Sequence, residues 1–153
     1  MIGLLQRVSE ARVVVEGTVV GEIDRGLAVL VCAERGDDEG AAQNLLDKLL
    51  AIRVFPDETG KTNCSLEQVR GGLLLVPQFT LAADTRSGAR PGFSGAAEPA
   101  HGRVLFDFIV AAAGRAHSPV ASGRFGADMQ LRLTNDGPFT LWLRIDPVSP
   151  TQV

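Results

Sequence analysis

Two short segments carry side chains whose chemistry the rest of the chain does not explain: Gln78-Phe79-Thr80, directly after Pro77, and Asn135-Asp136-Gly137-Pro138. The first sets an amide, an aromatic ring and a hydroxyl at the end of an apolar run. Strand ends that break into polar residues are common places for a site. Thr80 offers a hydroxyl nucleophile, but such a group is weak until a base takes its proton, and no base stands near it in sequence. The second segment has the composition of a turn, and its glycine lacks the Cβ that would keep another molecule away from the main chain.

The sets that serve common hydrolases, metalloenzymes and nucleotide enzymes are missing. There is no G-x-S-x-G, no H-E-x-x-H and no G-x-x-x-x-G-K-[ST]. His101 and His117 lie far apart without ligand-like neighbours, so neither a metal nor another cofactor is expected. Cys32 and Cys64 lack C-x-x-C spacing, and Cys32, within Leu27-Ala28-Val29-Leu30-Val31-Cys32-Ala33, reads as a buried thiol. The acids Glu34, Asp37, Asp38 and Glu39 read as a charged helix start.

The 153 residues fit one domain, and 45% apolar with 22% charged content fits a globular one. A net charge of -3 counts against broad nucleic-acid binding. Charge can still be local: 13 of the 15 basic residues are arginine, which suits bidentate phosphate contacts. Thr85-Arg86-Ser87-Gly88-Ala89-Arg90-Pro91 holds two of them and no acid, and could take a phosphate, although a solvated polar loop is the preferred reading. No apolar run is long enough to span a bilayer, and the start lacks signal-peptide features, so the expected compartment is the cytoplasm.

The elements that must position these residues follow from hydrophobic spacing. Residues 1–33 read as strands, with a tight hairpin at Glu16-Gly17-Thr18 and a central strand from Gly26. Residues 37–52 and 100–114 carry helical stripes, the second formed by Val104, Leu105, Phe108, Ile109 and Ala112. Ser65-Leu66-Glu67-Gln68 has capping-box form. Leu73-Leu74-Leu75-Val76 is a buried strand that continues through residues 77–81, with Pro77 at an edge, bulge or end. A long polar loop covers 84–99. Residues 129–145 alternate apolar and polar around Asn135-Asp136-Gly137-Pro138 and read as a β-hairpin. Trp142 falls on its polar face, as part of an interface or half-buried against the first helix. Pattern alone ends at an α+β domain over 1–146 with a frayed tail at 147–153.

Pro77-Gln78-Phe79-Thr80-Leu81-Ala82-Ala83-Asp84-Thr85, followed by Gly88, Arg90-Pro91 and Phe93, resembles the first signature of the D-aminoacyl-tRNA deacylases. Asn135-Asp136-Gly137-Pro138-Phe139-Thr140 resembles the second. Leu5-Gln6-Arg7-Val8, then Val13, Val15, Gly17 and Gly21, and Gly123-Arg124-Phe125-Gly126-Ala127-Asp128-Met129 fit as well. The likeness runs from Met1 to about Ile145. One departure is Pro77, where the family usually has serine. Proline there is similar to the animal-type deacylases that act on certain L-aminoacyl-tRNAs, whereas Phe79 and the Asn135–Pro138 turn match the D-specific type.

The resemblance implies mainly antiparallel sheets, barrel-like or in two layers, with two principal helices. It also implies a cytoplasmic homodimer that hydrolyses D-aminoacyl-tRNA and mischarged glycyl-tRNA, proofreading chirality in translation. Its partner would be the 3'-terminal adenosine end of aminoacyl-tRNA, with neither membrane nor DNA. The main-chain N–H groups of Phe79 and Thr80 would stabilise the oxyanion, and Gln78 would contact the terminal nucleotide. Gly137-Pro138 would be a cis peptide inserted into the partner subunit's site, with Arg7 bracing the turn and Asn135 and Pro77 also on the substrate side. Loss of the serine hydroxyl at Pro77 bears on affinity for the adenosine more than on reaction type. Either Thr80 is the nucleophile or the ribose 2'-hydroxyl helps to activate water; the missing base favours the second. A non-catalytic aminoacyl-tRNA binding module is the rival use of the same pocket.

Overall fold

The computed structural model describes residues 1–147; the remainder of the expected tail, 148–153, lies outside the described residues. Strands β1 (Ile2–Val15), β2 (Thr18–Ile23) and β3 (Gly26–Cys32) come first, then helix α1 (Glu39–Ala51). Strands β4 (Arg53–Pro56) and β5 (Thr62–Ser65) precede the one-turn helix α2 (Leu66–Val69) and strand β6 (Gly72–Pro77). A 3-10 turn (Phe79–Ala82), helix α3 (Pro99–Ala116), β7 (Val120–Ser122) and β8 (Gln130–Arg144) complete the order.

One sheet runs β2-β1-β3-β6-β7, with β8 also paired to β1, and β4-β5 form a separate small sheet. The pairings of β1 are antiparallel, as expected, while β3-β6 and β6-β7 are parallel. The large sheet curls until its ends almost meet: a Cβ on Gly21 of β2 would lie 2.5 Å from the Ser122 carbonyl oxygen of β7, so only glycine permits the approach. The result is a nearly closed, barrel-like sheet with two cores. Outside it, Leu5, Leu27, Val29, Leu73 and Leu75 pack with the helices. Inside it, Val8, Val13, Ala28, Leu74 and Val76 pack together, because neighbours along a strand face opposite ways.

Helix α1 starts where its charges place it, but the acids divide their work. Asp38 is the N-cap and accepts from the Ala41 N–H at 2.8 Å. Asp37 is buried instead, accepting from the Met1 ammonium at 2.8 Å and from the Glu34 N–H at 2.7 Å. Ser65 forms the expected capping box with Gln68. On α3 the buried face is Leu105, Phe106, Ile109, Ala112 and Ala113, rotated from the expected stripe so that Val104 is 54% exposed. The helix is apolar enough around its circumference for spacing to fit either phase.

The expected hairpin at 129–145 is not one. β8 is a single long strand whose two arms pair with the same neighbour, β1, and residues 136–139 stand opposite Arg7 alone. This insertion is an enlarged bulge, four residues against one. It changes the face that each arm buries: Leu131 and Leu133 pack inside the barrel, whereas Phe139, Leu141 and Leu143 pack on the helix side. Alternation on both sides of a glycine-proline pair looks the same in sequence whether the chain reverses or merely shifts its register.

Candidate active site

Pro77 ends β6. Without an N–H it cannot extend the parallel ladder, and the chain leaves the sheet after Gln78 donates its N–H to the Val31 carbonyl at 2.8 Å. The expected continuation of the strand to Leu81 is therefore replaced by the 3-10 turn, which Gln78 caps without a side-chain hydrogen bond. The first N–H groups of such a turn have no acceptor within it; here they belong to Phe79 and Thr80. The side-chain amide of Gln78 donates to the Thr80 hydroxyl. Beneath the turn, the buried Cys32 sulfur lies 3.5 Å from the Phe79 carbonyl and 3.4 Å from that of Ala33. Burial pushes this thiol up to about 11, and Glu34 adds to the effect.

Beside the turn opens a cavity of about 660 Å³, walled by Leu30, Pro77, Phe79, Phe93, Phe125 and Met129 among others. Phe79 is 58% exposed and meets Phe93 edge to face, with ring centroids 5.1 Å apart. The pocket thus has aromatic and apolar walls with a few polar groups, Arg35, Gln78 and Glu98, the composition usual for binding a small organic group.

The other segment forms the tip of the β8 bulge. Asn135 closes it, accepting from the Phe139 N–H at 2.9 Å and donating to the Thr140 hydroxyl at 2.7 Å. Gly137 and Pro138 are exposed, and the peptide between them is cis, as is Ser118-Pro119. Arg7 lies behind them: Nε donates to the Asp136 carbonyl at 3.1 Å, Nη1 donates to the Val54 carbonyl at 2.6 Å, and the guanidinium covers the Phe139 ring at 4.9 Å. Gly137 has φ +128°, and a Cβ there would meet Arg7 Nη2 at 2.8 Å. Among the described residues, none of 135–138 lines the cavity beside Phe79. The two segments are thus two poles of the candidate site in the sense that one lines the cavity and the other does not.

Both poles fall within the region, residues 4–144, that matches the D-Tyr-tRNA(Tyr) deacylase family. The chain belongs to that family. It is 60% identical over 148 residues to a D-aminoacyl-tRNA deacylase of Janthinobacterium sp. (strain Marseille), covering 97% of this chain and 99% of the relative. Among solved structures it is similar to one described as c-Myc DNA Unwinding Element Binding Protein, with a TM-score of 0.89 and 32% identity over 99% of this chain and 100% of that one. A second, from a structural analysis of a probable eukaryotic D-amino acid tRNA deacylase, shares the fold with a TM-score of 0.77 and 22% identity over 93% of this chain and 97% of the other.

In this deacylase chain the remaining candidates have other occupations. Arg86 is tied to Asp84 through 2.9 and 2.6 Å side-chain hydrogen bonds, which hold the Asp84 carboxyl well below its usual range. In the loop read as a phosphate holder, Arg90 takes part in no ion pair among the described residues. His101 and His117 each bond a main-chain carbonyl through Nε2, those of Asp37 and Gly71. Among the described residues no group of three potential metal ligands converges, and no helix is long and apolar enough to cross a membrane. Trp142 is 51% exposed rather than packed on α1. Leu4 stands opposite Leu30 on one side and Trp142 on the other, so all three share a sheet face.

Sequence reasoning assigned no role to Met129, Phe125 or Phe93 as pocket walls. Phe93 lay within the quoted signature, but its contact with Phe79 depends on how the loop at 84–95 folds back, with Asp84 and Gly92 exchanging main-chain hydrogen bonds at 2.7 and 2.8 Å. Cys32 was legible as buried, not as the group beneath the Phe79 turn.

Proposed function

We propose that this chain hydrolyses the ester of D-aminoacyl-tRNA, and of mischarged glycyl-tRNA, in the cytoplasm as chiral proofreading in translation. The observation that carries this reading is the exit of the chain from β6 at Pro77 into a turn whose first N–H groups, those of Phe79 and Thr80, have no acceptor within it, with Phe79 lining an apolar cavity, in a chain of the deacylase family. The cavity takes the 3'-terminal adenosine. Its ester carbonyl then lies at the turn, where the two N–H groups meet the oxyanion as water adds to the carbonyl carbon. Each such donor contributes about 3 kcal/mol to the transition state. Collapse breaks the bond to the ribose oxygen, which takes a proton, and releases the amino acid.

Thr80 is not the nucleophile in this reading. Its hydroxyl oxygen accepts from Gln78, which draws electron density away from it, and no base abuts it. The ribose 2'-hydroxyl assists the water, while Gln78 and Pro77 position the nucleotide. Pro77 gives the adenosine an apolar wall in place of a hydroxyl contact.

Selection by handedness requires a second copy. In one chain Gly137 and Pro138 do not line the cavity, yet both are exposed, Gly137 has no Cβ and the tip is backed by Arg7. Inserted into the partner subunit's pocket, this main-chain tip would reject an L side chain sterically and admit a D side chain or hydrogen. Asn135 serves by holding the bulge closed. The shared face of Leu4, Leu30 and Trp142 supports the homodimer, since a half-exposed tryptophan on a partly apolar sheet face fits an interface.

The test is hydrolysis of matched D- and L-Tyr-tRNA by purified protein. Rapid release of D-tyrosine with L-Tyr-tRNA intact is expected. Cleavage of L-aminoacyl-tRNA alone would favour the animal-type activity that Pro77 resembles, and binding without release would favour a non-catalytic module.

A further inference from the structure

We infer that Arg103, with Arg124 next to Phe125 in the chain and Arg35 in the cavity lining, forms a cationic rim that holds the phosphodiesters of the single-stranded 3' end of tRNA. This inference rests on the deacylase reading above and names how the polyanion is held by a chain whose net charge is -3. Arg103 projects from the first turns of α3 onto the outer side of the cavity wall. Its guanidinium stacks 4.9 Å from the centre of the Phe125 ring, and Nη2 donates to the Phe125 carbonyl at 3.3 Å. A Cβ on Gly126 would come within 3.5 Å of the same nitrogen. Phe125 and Gly126 themselves line the cavity.

The head group is therefore fixed against two residues of the cavity lining, and its other N–H groups remain for oxygen acceptors. A guanidinium held flat on an aromatic ring loses less freedom when it binds a phosphate. Neither Arg103 nor the exposed Arg124 takes part in an ion pair among the described residues. Arg35 lines the cavity itself and meets Glu98 at 3.7 Å, with both side chains largely exposed, so screening leaves that pair weak. Glu98 is the one acid in the lining. By contrast, the cleft of about 410 Å³ around Arg12 and Arg132 also holds Glu10, Glu22 and Asp24 and offers no net positive charge. A nucleotide seated in the pocket continues through its 5' phosphate past the mouth, and the rim is the cationic surface there.

The experiment compares Arg103→Gln with Arg103→Lys on two substrates, D-Tyr-tRNA and D-tyrosyl-adenosine, which carries no phosphate, and measures binding of uncharged tRNA against salt. Arg115→Gln is the control, a change of equal charge about 18 Å further along α3 at 1.5 Å per residue. For Arg103→Gln the ratio of kcat/KM for the tRNA to that for the adenosine ester is expected to fall about three- to tenfold. The slope of log affinity against log salt should shrink by about 0.7, one phosphate's share on a single strand. Arg103→Lys should keep most of the slope, and Arg115→Gln should change neither quantity. An equal fall on both substrates, or an unchanged salt slope, would mean that Arg103 merely braces Phe125 and would overturn the inference. Failure of the wild type to cleave either ester would instead remove the deacylase reading, while the salt slope would still decide the rim.

Discussion

Arg7 Nε donates to the main-chain oxygen of Asp136 at 3.1 Å, although 129 positions separate the two residues in sequence. The same side chain reaches the Val54 carbonyl and covers Phe139, so one guanidinium joins β1, β4 and the β8 bulge. Arg7→Ala should cost about 1–3 kcal/mol of stability and, beyond that, about tenfold or more in kcat/KM for D-Tyr-tRNA, because the tip loses its backing. Arg7→Lys should recover little, since an ammonium cannot reproduce the planar fork. Urea titration alongside deacylation rates reads both effects; full activity in a stable Arg7→Ala protein would show that the tip needs no brace.

Thr80 separates two mechanisms. With its hydroxyl accepting from Gln78, Thr80→Val should retain at least about a tenth of the wild-type kcat, the loss of one neutral hydrogen bond. A substrate ending in 2'-deoxyadenosine should be cleaved far more slowly. A dead valine variant with normal cleavage of the deoxy substrate would make Thr80 the nucleophile.

Cys32 should be inert in the folded protein. Its thiol is raised from 9.0 to about 11, so at pH 8 it stays protonated, and its side chain is buried. Native protein treated with iodoacetamide at pH 8 should gain one adduct, on the half-buried Cys64, and a second only after denaturation; mass spectrometry distinguishes them. Because the folded state holds this proton more tightly than the unfolded state, the associated stability is complete below pH 9 and is lost as pH rises towards 11. Urea midpoints from pH 8 to 10.5 should fall less for Cys32→Ala than for wild type. Identical profiles would contradict the assignment.

Trp142 tests the homodimer. Placing a charge on the face shared with Leu4 and Leu30, as in Trp142→Glu, should shift sedimentation to the monomer and abolish D-Tyr-tRNA hydrolysis, with the circular dichroism spectrum unchanged. A dimeric, active Trp142→Glu protein would place the interface elsewhere.

Much of this molecule is set by local chemistry that sequence displays. Asp38 and Ser65 cap helices because their oxygens reach the N–H groups three residues on. The apolar runs of β3 and β6 are central strands because both faces are covered. Pro77 stops a strand because it has no N–H, and the two signatures carry the family by residue identity alone. What the sequence left open concerns long-range pairing. Whether residues 129–145 reverse or run on depended on β1 being long enough to pair with both arms, a register that no alternation reveals. Asp37 differs from Asp38 only because the fold brings the Met1 ammonium to it. The pocket walls come from two separate stretches of chain, Phe93 from one loop and Phe125 and Met129 from another, and only tertiary packing decides that they face one cavity. Local hydrogen bonds are written within a few residues, whereas a site assembled across the sheet exists only once the tertiary contacts have formed.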